Sequence, residues 1–238
     1  MDTAIQWLGQ AGFLIRTTGG KTIAIDPYLS DSCNALVGFK RMVPAPVLPE
    51  NFQADYLLIS HEHPDHLDIE LYRALEDKTH VQIFANRHCQ ELVQSNGFSG
   101  QRIRPIGDGD LLELDGVQVR VIRADHGEMC PDALGFLITD NGHTIYFAGD
   151  TALSPALLQG ALDAQPEVAL LPINGAYGNL NSQEAAQLAG MLHCKTVIPC
   201  HYWMFVEHGS CPFEFMNAMK AQPDIRVCFL SLGETLIL

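Results

Sequence analysis

The stretch Ile59-Ser60-His61-Glu62-His63-Pro64-Asp65-His66-Leu67 decides how the rest of this 238-residue chain is read. It leaves residues 55–60, an apolar run of the kind that forms a strand buried on both faces. It enters residues 67–76, where Leu67, Leu71, Ala74 and Leu75 recur at helical spacing. The polar string therefore sits on a strand-to-helix turn. The imidazoles of His61, His63 and His66 and the carboxylate of Asp65 are donors suited to borderline cations, and one tight turn can aim them into a single small volume. A lone loop histidine is ordinarily structural; donors packed this densely read as metal ligands. Spacings of two and three, with Pro64 between, exclude the H-E-x-x-H helix of zincins.

Upstream, residues 4–8, 13–16 and 22–25 are short, apolar and β-branched, broken by Gly9, Gly12 and Gly19-Gly20, and predict an antiparallel meander. Residues 28–50 carry Pro44, Pro46 and Pro49 without a period and predict an irregular loop long enough to cover a site. Downstream, 81–85 and 88–94 continue the strand–helix alternation, and 111–114, 117–122, 134–139 and 144–148 read as strands. In the last third, 155–162, 182–192 and 213–220 read as helices between strands at 168–172, 196–199 and 226–230. Ser182 and Glu184 offer a cap and first-turn charge. Two half-chains, each strands first and helices after, predict an α/β fold in one domain spanning 1–238, with two sheets face to face and helices outside.

Further donors stand beyond apolar strands: His126 after 117–122, Asp150 after 144–148 and His201 after 196–199. Singly, Asp150 could cap a helix before Pro155 and either histidine could be a loop residue; strand ends on a shared edge, however, converge on one crevice. Asp26, in Asp26-Pro27, reads as an acceptor for a ligand imidazole or as a turn opener. Cys200, beside His201, reads as a buried apolar side chain or as a thiolate ligand.

Composition removes whole classes. Hydrophobic residues at 47% with 18% charged fit a folded globule and exclude a disordered or collagen-like chain. Apolar runs such as Tyr56-Leu57-Leu58-Ile59 are far short of the roughly 20 residues of a membrane helix, and Met1-Asp2 opens no signal peptide, so no membrane association is expected. A formal charge of −14 opposes nucleic acid and anionic lipid as partners. Seven scattered cysteines with no C-x-x-C suit reduced thiols in a cytoplasmic protein. A small-molecule substrate is the expected partner, and a homo-oligomer accords with the frequency of symmetric assemblies.

The H-x-H-x-D-H string, the later lone His126, Gly149-Asp150-Thr151 after a strand and Pro199-Cys200-His201 resemble the metallo-β-lactamase superfamily. Trp7-Leu8-Gly9 with Gly12, Asp26-Pro27, Ala54-Asp55 and residues 179–185 are most similar to its L-ascorbate-6-phosphate lactonase branch. The resemblance implies a four-layer αββα sandwich and two divalent metal ions, zinc or manganese, with iron also compatible with the donors. It implies a first metal on His61, His63 and His126, a second on Asp65, His66 and His201, and Asp150 between them. Two departures stand out. His126 has no clear counterpart in that branch, and Asn174-Gly175-Ala176-Tyr177 replaces an Asn-Gly-Arg-Asp pattern, removing an arginine clamp for anions.

Two such cations would lower the pKa of a bound water from about 15.7 toward about 7, so hydroxide would open a lactone, most readily of a sugar or sugar phosphate, with Asp65 orienting the attack. Tyr177 is the candidate proton donor; Asn174, Tyr202 and Arg41, the last beside Lys40 on the proline-rich loop, are candidates to bind substrate. Phosphodiester hydrolysis is the rival chemistry, and a metal-dependent metabolite binder without turnover is the rival of another class.

Overall fold

In the computed structural model, which describes residues 1–238 apart from Asp77 and Thr79, the opening segments form the expected meander of β1 (Ala4–Gly9), β2 (Gly12–Arg16) and β3 (Thr22–Ile25). The proline-rich stretch is not wholly irregular. It contains α1 (Ser32–Val37) and a 3₁₀ turn at Pro49–Asn51. Helix α1 buries only Ser32 and Cys33 and has no side-chain cap, so packing holds it and no apolar period announces it.

Strand β4 (Tyr56–Ile59) is buried throughout and pairs in parallel with β3 and with β5 (Gln82–Ala85). Its side chains alternate: Leu58 faces the space between the sheets, and Leu57 and Ile59 face the outer helices. Those helices are α2 (Ile69–Leu75) and α3 (Arg87–Ser95). Helix α2 starts later than its apolar period because the Asp68 carboxylate accepts from the amides of Glu70 and Leu71 as N-cap. β6 (Ile103–Pro105) ends this half.

The second half repeats the plan. β7 (Leu111–Leu114), β8 (Val117–Arg123), β9 (Leu134–Asp140) and β10 (His143–Phe147) are antiparallel neighbours. Then α4 (Gln159–Ala164), β11 (Val168–Pro172), α5 (Ser182–Leu192), β12 (Thr196–Cys200), α6 (Pro212–Ala218) and β13 (Arg226–Val227) add parallel strands through helical crossovers. Asn181, not Ser182, caps α5, in a capping box with Glu184. The expectation of two separate half-chains needs one correction: β14 (Thr235–Ile237) returns to the first sheet and pairs antiparallel with β1.

The result is an α/β architecture of two seven-stranded mixed sheets with helices around them. Phe13, Leu58 and Phe84 of the first sheet and Val121, Phe136 and Tyr146 of the second share one apolar core. Among the described residues no helix is long and apolar enough to cross a membrane.

Candidate metal centre

The β4 strand delivers the histidine string to the sheet edge, and a tight turn folds it. The amides of His66 and Leu67 donate to the His63 carbonyl at 2.9 and 2.8 Å. Asp68 locks the far end of that turn by also accepting from the Leu29 and Ser30 amides at 2.9 and 2.7 Å. From the second half, His126 follows β8, and the loop holding it is tied to the loop holding Asp150 by a bond from the Ala152 amide to the Asp125 carbonyl, 2.7 Å. Asp150 follows Gly149, whose φ is +65° and where a Cβ would stand 2.6 Å from the Leu134 carbonyl oxygen; only glycine fits there. His201 follows β12 with a left-handed φ of 59°, and its amide donates to the Gln10 carbonyl at 2.9 Å. Gln10, Asp26 and Tyr177 are left-handed too, so strained backbone gathers around this site.

The donors form two clusters. His61 Nε2 lies 3.1 Å and His126 Nε2 3.3 Å from His63 Nδ1. Asp65, His66 and His201 form the other, with His201 Nε2 3.3 Å from the Asp65 carboxylate. Asp150 stands between: one oxygen is 3.2 Å from both His66 Nε2 and His201 Nε2, the other 3.8 Å from His126 Nε2. Two atoms each about 2.1 Å from one tetrahedral ion are about 3.4 Å apart, which these separations approach. His66 Nε2 and the inner Asp150 oxygen are buried and make no hydrogen bond despite their approach. Orphaned donors and acceptors this deep are costly unless something else satisfies them, and a divalent cation in each cluster fits.

The surrounding groups fix which ring nitrogens face inward. Asp26 lies 2.7 Å from His66 Nδ1 and accepts from Ser60 N and Oγ, and Ser60 Oγ is 2.9 Å from His61 Nδ1. Both rings are thereby left with Nε2 toward the clusters. The close set of Asp26, His61 and His66 is thus an orienting network, since the Asp26 carboxylate is already engaged. Burial, with the neighbouring His66, pushes the His61 pKa well down. Burial opposes protonation of His66 and His201 as well, but the Asp150 and Asp65 carboxylates outweigh it, raising His66 well above its ordinary value and His201 to about 9.

The sequence did not flag three participants. Gln10 is fully buried; its side-chain amide donates to Asp65 at 2.7 Å and lies 3.0 Å from His208 Nδ1. His208 stacks on His201 with centroids 4.8 Å apart, and burial pulls its pKa down to about 4. Neither glutamine as a residue type nor a histidine beyond the strand end carries a motif. The third is Cys130, paired with His126 in an isolated bridge; its Sγ lies 3.4 Å from His63 Nε2 and from the Glu62 carboxylate. Cys130 lies beside the first cluster and Cys33 lines the pocket above, whereas Cys200 packs in the core with its pKa raised by burial.

Above the clusters opens a pocket of about 220 Å³ whose lining includes His63, Asp65, Asp150, Tyr177, His201 and His208. Other expected substrate contacts lie elsewhere. Arg41 turns away: its guanidinium donates to the Tyr28 and Ser30 carbonyls at 3.0 and 2.9 Å and sits over the Tyr28 ring. Tyr202 stacks on Trp7 at 5.1 Å and lines a separate apolar groove. Asn174 is buried, its amide donating to the Ala176 carbonyl at 3.3 Å, outside the pocket lining.

Residues 4–201 match the family described as the beta-lactamase superfamily domain. A UPF0173 metal-dependent hydrolase of Pelotomaculum thermopropionicum is 33% identical over 245 residues, covering 98% of this chain and 98% of that protein. Another, from Methanosarcina barkeri, is 30% identical over 242 residues, covering 98% and 97%. Among solved structures, Igni18, a metallo hydrolase from the archaeon Ignicoccus hospitalis, superposes with a TM-score of 0.79 at 25% identity, covering 100% of this chain and 99% of that one.

Proposed function

The chain belongs to the metallo-β-lactamase superfamily and, within it, to the UPF0173 metal-dependent hydrolases, and on that premise we propose that it hydrolyses a small carbonyl compound, foremost a lactone, at a pair of divalent metal ions. The observation that carries this reading is Asp150, which presents one carboxylate oxygen to each donor cluster beneath an open pocket. His61, His63 and His126 would hold one ion, Asp65, His66 and His201 the other; the mixed donors suit zinc or manganese, and iron as well. Such a pair supplies, when bound, a water of lowered pKa and a polarised target bond.

The protein's own groups do the rest. Asp65 stays a carboxylate despite its burial, held so by His66 and His201, and the Gln10 amide fixes its direction, so it can orient the attacking water. Tyr177 offers its hydroxyl to the leaving oxygen from the pocket wall. The lactone assignment draws on the likeness of Trp7-Leu8-Gly9, Asp26-Pro27 and residues 179–185 to the lactonase branch. A phosphodiester is disfavoured because no lysine or arginine is among the described residues lining the pocket. All seven cysteines are free, in keeping with a reducing, cytoplasmic setting.

Metal-reconstituted protein, incubated with a panel of lactones and a generic phosphodiester while acid release is followed, tests the proposal, with His61→Ala as control. Lactone opening absent from the control is the expected result. Diester cleavage alone would replace the lactone with a phosphodiester, and metal-loaded protein inert toward the whole panel would leave only a binder.

A further inference from the structure

The pocket wall differs from its floor. Above the clustered donors stand Val37, Phe39, Met129 and Tyr177, and three of these are markedly exposed: Val37 at 50%, Met129 at 48% and Tyr177 at 47%. The aromatic part forms one connected face. Phe39 lies 6.2 Å from Tyr177 and meets His208 edge-on at 5.6 Å; Tyr177 lies 5.4 Å from His208, which stacks on His201. A ring or branched alkyl group placed against Phe39 and Tyr177 would therefore sit next to the donor clusters.

Charge points the same way. Cations at the clusters would hold an anionic or polarised head group, but a second anion at the far end of a substrate would find no lysine or arginine among the described lining residues. It would gain no charged partner there, whereas an uncharged ring would gain apolar contact. Arg41, the clamp candidate in the sequence, donates through Nη1 to the Tyr28 and Ser30 carbonyls, and with Lys40 it lines a different pocket. At about 220 Å³ the pocket is smaller than the roughly 300–1,000 Å³ of sites that take drug-sized ligands, so the substrate is small.

We propose that the site selects small substrates that carry an uncharged aromatic or branched alkyl group beside the hydrolysed carbonyl, and that Phe39, Tyr177 and Met129 set this preference over sugar phosphates. The proposal rests on the hydrolase reading above and specifies its substrate class.

Hydroxamates anchor to metal ions, so their side arms report on the wall without any turnover. Metal-loaded protein of measured metal content is titrated calorimetrically with acetohydroxamate, phenylacetohydroxamate and phosphonoacetohydroxamate. Burial of the ring should make phenylacetohydroxamate bind about tenfold tighter than acetohydroxamate, and the phosphono compound should bind no tighter than acetohydroxamate. Phe39→Ser should bring the phenyl compound close to acetohydroxamate at unchanged metal content, and Met129→Lys should favour the phosphono compound. Equal affinities for all three, tighter binding of the phosphono compound to the unaltered protein, or no binding by metal-loaded protein would each overturn the proposal. The lactone reading fails separately, by absent turnover of every lactone in the panel.

Discussion

Asp150 faces both clusters at once, and Cys130 Sγ lies within 4.8 Å of the His61, His63 and His126 ligand atoms, so a single carboxylate and a single thiol influence ligands drawn from distant stretches of chain. Cys130 Sγ engages the ring nitrogen of His63 that points away from the cluster, and the Glu62 carboxylate takes the thiol in turn. Removing such a partner frees the ring to rotate and typically weakens metal binding about 10–100-fold. Cys130→Ala is expected to lose that much affinity in competition with a chromophoric chelator, whereas Cys200→Ala, in the core, should leave metal affinity unchanged. At this scale the sequence spoke clearly where donors were dense or followed apolar strands: His61, His63, Asp65, His66, His126, Asp150 and His201 all come to the site. It was silent on Gln10, whose approach depends on a left-handed backbone at φ 50°, and misleading on Arg41 and Tyr202, whose residue types suggest ligand binding although both are occupied elsewhere.

Elements of the two sheets are joined away from the site as well. Asp140, at the end of β9, is buried and accepts from Thr3 Oγ1 at 2.6 Å, Thr18 N at 2.8 Å and Thr18 Oγ1 at 2.8 Å, tying the second sheet to the start of the first. Burial favours the neutral acid, but the three donors outweigh it and hold the pKa below 3.8. A carboxyl depressed in the folded state stabilises above its unfolded value and ceases to do so as pH falls through the folded one. Asp140→Ala should therefore cost about 2–4 kcal/mol in urea unfolding at pH 7, with the difference from wild type narrowing below about pH 4. A pH-independent difference would show that the carboxylate is not ionised in the fold. Elements with a strong period, such as β4, β9 and α5, could be read from sequence. Short pieces held by partners, α1 and β14, could not, because nothing local distinguishes them from loop.

Over the whole molecule the sheets share one core, and the donor clusters draw on both. Each bound cation should therefore stabilise the entire fold by about 2.7 kcal/mol at a hundredfold excess over its Kd. For a chain of this length that corresponds to a Tm higher by roughly 5–10 °C per ion than after chelation, measurable by calorimetry. The same comparison on His61→Ala should lose the share of the shift contributed by the first ion and keep that of the ion at Asp65, His66 and His201. The layered plan was legible in the order of strands and helices; the crossing of the final strand back to the first sheet was not, since pairing partners leave no mark on a segment this short.

The division of ligands between the sheets has a consequence for biogenesis. His61 and His63 come from the first half of the chain and His126 from the second; Asp65 and His66 come from the first and His201 from the second. Neither half carries a complete ligand set, so both clusters would be complete only once the two halves are made and docked. A chain ending before His126 would lack a ligand from each cluster, and its stability should not respond to added cation.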